Sequence, residues 1–310
     1  MSNPTPKISP VHIRPDTRIE ICIPSRGRTP NLSCMLQALR TQSFESWDLT
    51  IVDDNPDDSL RSDFTLSVMF QLLETEGHRC RVIHGRSQGL ASAHDALLMA
   101  TRKPLIARID DDTLPARTDY LALLFEQFVR DSTGRLGAVG GPIPHFTGGP
   151  LEKYAIPDQT ELDKYAPFEA PFTRYLPPRD ATPHTVTTLY SSFLYKTDFA
   201  RAAGGFPVAY GLVGEKEDTD TLTRIAFLGA PLVFHPQALL WHLKVPAGGT
   251  RSFAEFGKEQ TFQDAYRQFV LRMKSLKERT FDWSAEATAN LEPYRSLGAL
   301  PDDARGYIEP

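Results

Sequence analysis

The chain has 310 residues, 41% of them hydrophobic and 24% charged, with a formal net charge of -5. Those proportions suit a globular protein whose core needs no disulfides or structural metals, and the acidic balance excludes duplex nucleic acid as a bulk electrostatic partner. Three cysteines, Cys22, Cys34 and Cys80, with no CxxC spacing, exclude a disulfide framework or a zinc cluster and fit a reducing cytoplasm.

Residues 1–18 are rich in proline and polar groups and read as a flexible lead-in without the apolar core of a signal peptide. No apolar run approaches the roughly 18 residues of a membrane span. The expectation is a cytoplasmic protein, peripheral at a membrane at most. A strand over 19–23 leads into the turn PSRGR, and Thr29 stands where it can cap a helix with Pro30 in its first turn. Leu32, Met35, Leu36 and Leu39 give that helix one apolar face. A strand over 49–52 runs into Asp53-Asp54-Asn55-Pro56, a helix follows over 60–76, and a short strand over 81–84 precedes Gly89 and a helix to 101.

The strand over 105–109 ends at Asp110-Asp111-Asp112, and 117–130 reads as an amphipathic helix with Tyr120, Leu121, Leu124, Phe125 and Phe128 inward. Four strand–helix alternations in the first 130 residues indicate an α/β protein with a mainly parallel sheet covered on both faces. In such sheets ligands sit beyond the carboxyl ends of the strands, where both acidic clusters fall.

Residues 137–185 are too rich in proline for long helices, and irregular segments of this length are usually functional. Regular structure resumes as a strand over 186–195, a short helix and Gly204-Gly205-Phe206. A helix over 218–228 ends at Gly229, and short strands cover 232–234 and 238–241. The tail reads as helical over 252–277 and irregular beyond.

Three aspartates at a sheet's mouth repel one another, and a hard divalent cation, Mg2+ or Mn2+, bridging a nucleotide diphosphate would offset them. The competing reading has one aspartate capping the next helix and the others solvated. Asp53-Asp54 is either a turn former or a ligand contact. Glu215, Glu217, Asp218 and Asp220 either complement a helix dipole or supply a catalytic carboxylate. His242, after Trp241, is either a metal ligand or a structural histidine.

Taken in order, ICIPSRGR, LTIVDDN, QGLASAHDAL, ARIDDDTLP, SSFLYKTDFARAAGGF, EDTDTLTRIAFLG and ALLWHL resemble glycosyltransferase family 2, inverting enzymes of the GT-A fold, over residues 19–245. The resemblance implies a Rossmann-like sheet flanked by helices, with a nucleotide-binding half over 19–135, an acceptor and catalytic half over 136–245, and a C-terminal helical extension over 246–310. It places Pro24 and Arg28 in the loop around the nucleotide, and Asp54 on the base, usually uracil. Asp110 and Asp112 match the ends of a DxD motif, with Asp112 a direct metal ligand, Asp110 on the ribose or sugar side and also by the ion, and Asp111 in the variable middle place. His242 completes the metal and diphosphate site, and Asp218 matches the catalytic base. Where many members have Ala-Arg-Asn, this chain has Ala93-His94-Asp95, so His94 replaces a permanent cation near the nucleotide, with Arg86 or Arg108 to compensate.

The implied reaction moves a sugar from a nucleotide-diphosphate donor, UDP-linked by this reading, to the hydroxyl of a glycan or other acceptor. Asp218 takes the hydroxyl proton, the metal neutralises the leaving diphosphate, and Lys244 adds a second positive contact. His145, Phe146, Tyr154, Phe172, Tyr175 and Tyr210 are candidates for stacking on sugars. The tail's apolar face packs on the domain, or else forms a homodimer contact, a lid or a membrane-surface helix. Rival functions are a retaining GT-A enzyme, a sugar nucleotidyltransferase and a non-catalytic nucleotide-sugar-binding module.

Overall fold

The computed structural model describes residues 5–57, 59–84, 89–146, 182–189, 191–212, 214, 216–243, 248–249 and 258–295. Strand β1 (Ile19–Ser25) is buried along its whole length, as a central strand covered on both faces must be. Its side chains alternate between two cores. Ile19, Ile21 and Ile23 join one hydrophobic cluster, and Cys22 joins the other. Helix α1 (Thr29–Arg40) puts Leu32, Met35, Leu36 and Leu39 into the first cluster. Thr29 is the first helical residue and makes no cap; Arg28 precedes it.

Strand β2 (Trp47–Asp53) pairs parallel with β1. The single helix expected over 60–76 is two, α2 (Ser59–Ser62) and α3 (Phe64–Thr75). Asp63 divides them, because its carboxylate accepts the Leu66 N–H at 2.9 Å and so caps α3. Next come β3 (Cys80–His84), α4 (Leu90–Ala100) and β4 (Leu105–Arg108), then the short β5 (Thr113–Pro115) and α5 (Tyr120–Arg130). The irregular stretch expected from 137 contains β6 (Ala138–Gly140) and β7 (His145–Phe146).

The strand expected over 186–195 is also two. Strand β8 (His184–Val186) lies at the sheet's edge, and β9 (Phe193–Lys196) lies in its middle. Helix α6 (Thr197–Ala202), a 3-10 turn at Val208–Tyr210, α7 (Glu217–Phe227), β10 (Leu232–Phe234) and β11 (Leu240–Leu243) follow. Gly229 terminates α7 with φ +84°, as its position predicts.

The main sheet has the order β3-β2-β1-β4-β9-β6-β10-β8. Strands β1 to β4 form a parallel half, and β6 pairs parallel with β10. Between them β9 runs antiparallel to both β4 and β6, and β8 runs antiparallel to β10, so the sheet is mixed. Helices α1, α3 and α5 cover one face, while α4, α6 and α7 cover the other. A separate three-stranded sheet, β5-β11-β7, was not legible in the sequence.

The C-terminal residues form α8 (Lys258–Lys277) and a second helix, α9 (Trp283–Arg295), where an irregular tail was expected. Asp282 starts α9 by accepting the Ala285 N–H at 2.9 Å. Phe269, Met273, Leu276, Trp283 and Leu291 are buried in the same cluster as α4 and α7. No helix of the described residues is long and apolar enough to cross a membrane.

Candidate active site

The loops after β1, β2 and β4 converge at one edge of the sheet. Pro24 lies past Cys22, where the pairing of β1 with β4 stops, the kind of strand end at which a missing N–H is tolerated. After it, Gly27 turns the chain at φ +65° and its N–H donates to Asn55 Oδ1 at 2.8 Å. Asp53 is the turn former of the acidic pair. Its carboxylate accepts Asn55 N at 3.0 Å, Asn55 Nδ2 at 2.6 Å and Leu60 N at 3.3 Å. Asp54 ties the loops together: its N–H donates to Ser25 O at 2.9 Å, its Oδ2 accepts Gly89 N at 3.2 Å, and its carbonyl accepts Arg26 Nη1.

At the end of β4, Thr113 closes a tight turn by donating its N–H at 3.2 Å and its hydroxyl at 2.9 Å to Asp110 O. The three carboxylates leave that turn in different directions. Asp111 points inward, accepting Ser25 Oγ at 2.8 Å and Arg28 Nη1 at 3.0 Å. Burial pushes its pKa up to about 7; Arg28 opposes the shift and the charge of Asp112 adds to it. The middle aspartate is therefore a built part of the site, where sequence reasoning had only a variable position.

Asp112 Oδ2 lies 2.8 Å from Arg28 Nη1 and 3.3 Å from His242 Nε2. The small sheet makes the second contact possible. Strand β11 runs antiparallel to β5 with His242 opposite Thr113, and Leu243 N donates to Asp112 O at 2.7 Å. A segment 130 residues downstream is thus stitched to the aspartate turn. The backbone of Gly248 and Gly249 lies over Arg28, with Gly249 N donating to Arg26 O at 2.6 Å. A Cβ on Gly249 would come within 2.5 Å of the Arg28 Cζ, so that glycine pair, unremarked in the sequence, is needed for the close approach.

Asp110 turns the other way. Its Oδ2 accepts the hydroxyl of Ser191, its N–H donates to Ser192 Oγ at 3.2 Å, and its Oδ1 lies 3.9 Å from Arg108 Nη2. Ser191 in turn donates its N–H to Asp218 Oδ2 at 2.8 Å. Asp218 is therefore one residue removed from the aspartate turn and joins it through Asp110, whereas His242 meets it through Asp112. Ser191 has φ +50° and Lys216, just before α7, has φ +76°. Left-handed conformations in non-glycine residues are costly, and here they flank the candidate base.

Glu217 enters as a residue whose partner could not be read from sequence. Its Oε1 accepts Arg108 Nη2 at 2.6 Å, with both side chains buried. Burial, with the neighbouring Asp218 charge adding, pushes Glu217 up to about 8 against the pull of Arg108. Burial also disfavours the charge on Arg108, but Glu217, Asp110 and Asp218 together outweigh it. The guanidinium lies over Phe193 and Phe206 at 5.6 and 5.7 Å.

Two expected contacts are corrected by burial. His94 has no exposed surface: its Nδ1 lies 3.8 Å from Cys22 Sγ and its ring packs on Phe206 at 4.9 Å. Burial, with Arg108 adding, keeps it neutral, so it does not reach an open cleft as the resemblance implied; Arg108, itself 2% exposed, is paired with Glu217. Tyr210 is buried with its hydroxyl on Asp220 at 2.8 Å, which removes it as an exposed stacking surface. Arg86, Tyr154, Phe172, Tyr175, Glu215 and Lys244 lie outside the described residues, as do the side chains of His145 and Phe146. A groove of about 450 Å³ lined by Thr185, Val186, Phe227 and Pro231 among others lies along β8 and β10, and none of the candidate residues lines it.

Among the described residues no three His, Cys, Asp or Glu side chains cluster as a self-sufficient ion cage. What the site offers is the Asp112 carboxylate, paired with Arg28, beside the His242 imidazole, with Asp110 at the other end of the turn accepting from Ser191. Two protein donors fit a six-coordinate cation whose remaining ligands are phosphate oxygens and water, the usual division for ions that accompany nucleotides.

Residues 20–195 match the sequence model of Glycosyl transferase family 2. A search of curated protein sequences returned no match. Among solved structures, a mannosyltransferase from Pyrobaculum calidifontis in complex with GDP-Man and Mn2+ aligns with a TM-score of 0.52 at 16% identity, over 95% of this chain and 81% of that one. Residues 1–349 of TarS from S. aureus, with UDP-GlcNAc, give 0.57 at 12% identity over 91% and 73%. GalNAc-T7 with UDP, GalNAc and Mn2+ gives 0.56 at 14% identity over 92% of this chain and 59% of that one. The architecture they share is the GT-A fold, expected from the order of the sequence motifs.

Proposed function

The chain belongs to glycosyl transferase family 2, and on that premise we propose that it transfers a sugar from a nucleotide-diphosphate donor to an acceptor hydroxyl with inversion at the anomeric carbon. The observation that carries this reading is the division of the aspartate turn. Asp112 and His242 face each other on one side, 3.3 Å apart, and Asp218 is tied to Asp110 through Ser191 on the other.

When bound, a divalent ion held by Asp112 and His242 supplies Lewis-acid neutralisation of the departing diphosphate. The imidazole nitrogen in that set favours manganese over the harder magnesium, and two of the structural neighbours were solved with Mn2+. Arg28 brings a permanent cation to the phosphate side, held in place by Asp111 and by the glycine backbone above it. Asp54, at the mouth of β2, is the residue assigned in this reading to accept from the base, with uracil the favoured partner; the neighbours carry both uridine and guanosine nucleotides.

Asp218 acts on the opposite side. The Ser191 N–H fixes Oδ2 and the Thr219 N–H fixes Oδ1 at 2.5 Å, so the carboxylate is oriented before an acceptor arrives. It takes the acceptor's hydroxyl proton as attack proceeds, work worth about 10²–10⁴ in rate. Glu217 and Arg108 hold the turn that carries it.

The test is turnover of a panel of nucleotide sugars with manganese, with the product's anomeric configuration read by NMR. Release of nucleoside diphosphate with inversion supports the proposal. Retention assigns a different mechanism to the same fold. Binding without any turnover, in the presence of glycan and small-alcohol acceptors, points to the non-catalytic module.

A further inference from the structure

On α7, residues 218 and 220 are two positions apart and project about 200° from one another around the helix axis. Asp218 faces the aspartate turn, where Ser191 holds it. Asp220 faces the C-terminal helices and is fully buried. Four contacts close around its carboxylate. Arg272, on α8, donates Nε to Oδ2 at 2.6 Å and Nη2 to Oδ1 at 3.3 Å. Arg224 donates Nε to Oδ1 at 2.5 Å, and Tyr210 donates its hydroxyl at 2.8 Å.

The same Arg272 guanidinium grips Glu286 on α9, with Nη1 at 2.9 Å and Nη2 at 2.6 Å. Glu286 Oε1 also accepts Asn290 Nδ2 at 2.6 Å, and Asn290 reaches the loop before α7, donating to Gly204 O at 2.9 Å and accepting Val208 N at 3.1 Å. Arg224 binds that loop from the other side through Ala203 O and Gly205 O. Gly204 has φ +89°, and a Cβ there would meet Glu286 Cγ at 2.9 Å. Asp220 and Glu286 are balanced by Arg224 and Arg272, and one arginine couples both C-terminal helices to the back of the helix that carries Asp218.

We propose that Arg272 is a positioning residue for Asp218: by gripping Asp220 from behind, it sets the rotation and depth of the first turn of α7, so that the C-terminal helix pair completes the active site rather than covering it. The kinetic consequence rests on the transferase reading above; the structural one does not. Pulling α7 from one side is Glu217 on Arg108, and from the other Asp220 on Arg272. Asp218 lies between these two anchors, and its bond to the Ser191 N–H reports their joint effect.

Two variants of the full chain test it. Arg272→Lys keeps the charge but loses the fork, and Arg272→Met with Glu286→Gln removes one charge of each sign, leaving the Asp220–Arg224 pair balanced. In the double variant the Ser191 amide should exchange with solvent about tenfold faster or more, while the Ile51 amide on the distant side of the sheet stays within about twofold. For the transfer reaction, kcat should fall by about 10²-fold with donor KM nearly unchanged, and Arg272→Lys should lie between. A folded double variant with both Ser191 exchange and kcat at wild-type levels overturns the proposal. So does equal acceleration at Ser191 and Ile51, which would mean general loosening. Should the double variant not fold, the same comparison in Arg272→Lys decides. If the wild type turns over no donor, the transferase reading fails, and the exchange comparison still judges Arg272.

Discussion

Arg108 is the residue whose loss should be felt most widely. Its side chain is 2% exposed and that of Glu217 3%, and the 2.6 Å contact between them docks the start of α7 on the end of β4. Arg108→Met leaves Glu217 without its cation in the interior, close to Asp110 and Asp218. At a pH above about 8, where Glu217 is charged, breaking the buried pair from one side costs about 3–5 kcal/mol, because the remaining charge stays desolvated. The double variant Arg108→Met with Glu217→Gln removes both charges, so it should be more stable than the sum of the single variants by about 1–3 kcal/mol. Chemical denaturation of the four proteins, followed by circular dichroism, measures the cycle. A single-variant cost below about 1 kcal/mol, or additivity within about 0.5 kcal/mol, would refute the view that this pair holds the helix.

Three further outcomes follow from the same geometry. Asp218→Asn should lower kcat by about 10²–10⁴ and leave nucleoside diphosphate affinity almost unchanged, by titration calorimetry; a large loss of affinity would remove Asp218 from the role of base. Asp111 has its folded pKa raised from 3.8 to about 7, so its carboxyl favours the folded state when protonated, and this contribution fades as pH rises from about 4 to about 7. Asp111→Asn abolishes that titration, so in chelator-treated protein the variant should gain on the wild type across this window, by up to about 4 kcal/mol; a pH-independent difference would contradict the assignment. Gly249→Ala puts a Cβ into the Arg28 guanidinium at a φ of +57°, and should weaken diphosphate binding by about tenfold, with little change in unfolding midpoint. Unaltered binding would show that Arg28 does not hold the phosphates.

Much of this was legible in residue pattern. The buried strands of the parallel half and the amphipathic faces of α1 and α5 follow from local periodicity, and their carboxyl ends place Asp54 and Asp110 to Asp112 together. What stayed hidden depends on pairing between distant segments. Strand β9 is short and inserts antiparallel between β4 and β6, and β5, β7 and β11 are two to four residues each, too brief for periodicity to register. Their consequence is large, because β11 brings His242 to Asp112 and the turn before β9 brings Ser191 to Asp218. His94 shows the reverse failure. Its place in a motif suggested a ligand contact, yet position 94 faces the second core, beside Cys22 and Phe206. Glu217 and Asp220 looked like dipole-complementing acids, and only the fold reveals that Glu217 pairs with Arg108 and Asp220 with both Arg224 and Arg272.

The central claim is that Asp112 and His242 hold a divalent ion against a nucleotide diphosphate, and one calorimetric comparison tests it most directly. Uridine and guanosine diphosphates are titrated into wild type and Asp112→Ala, each with manganese and then with chelator. One of the two should bind wild type with an affinity that falls on the order of tenfold to a hundredfold when manganese is removed, and Asp112→Ala should show the weak value in both conditions. Manganese-dependent binding that survives intact in Asp112→Ala would contradict the account.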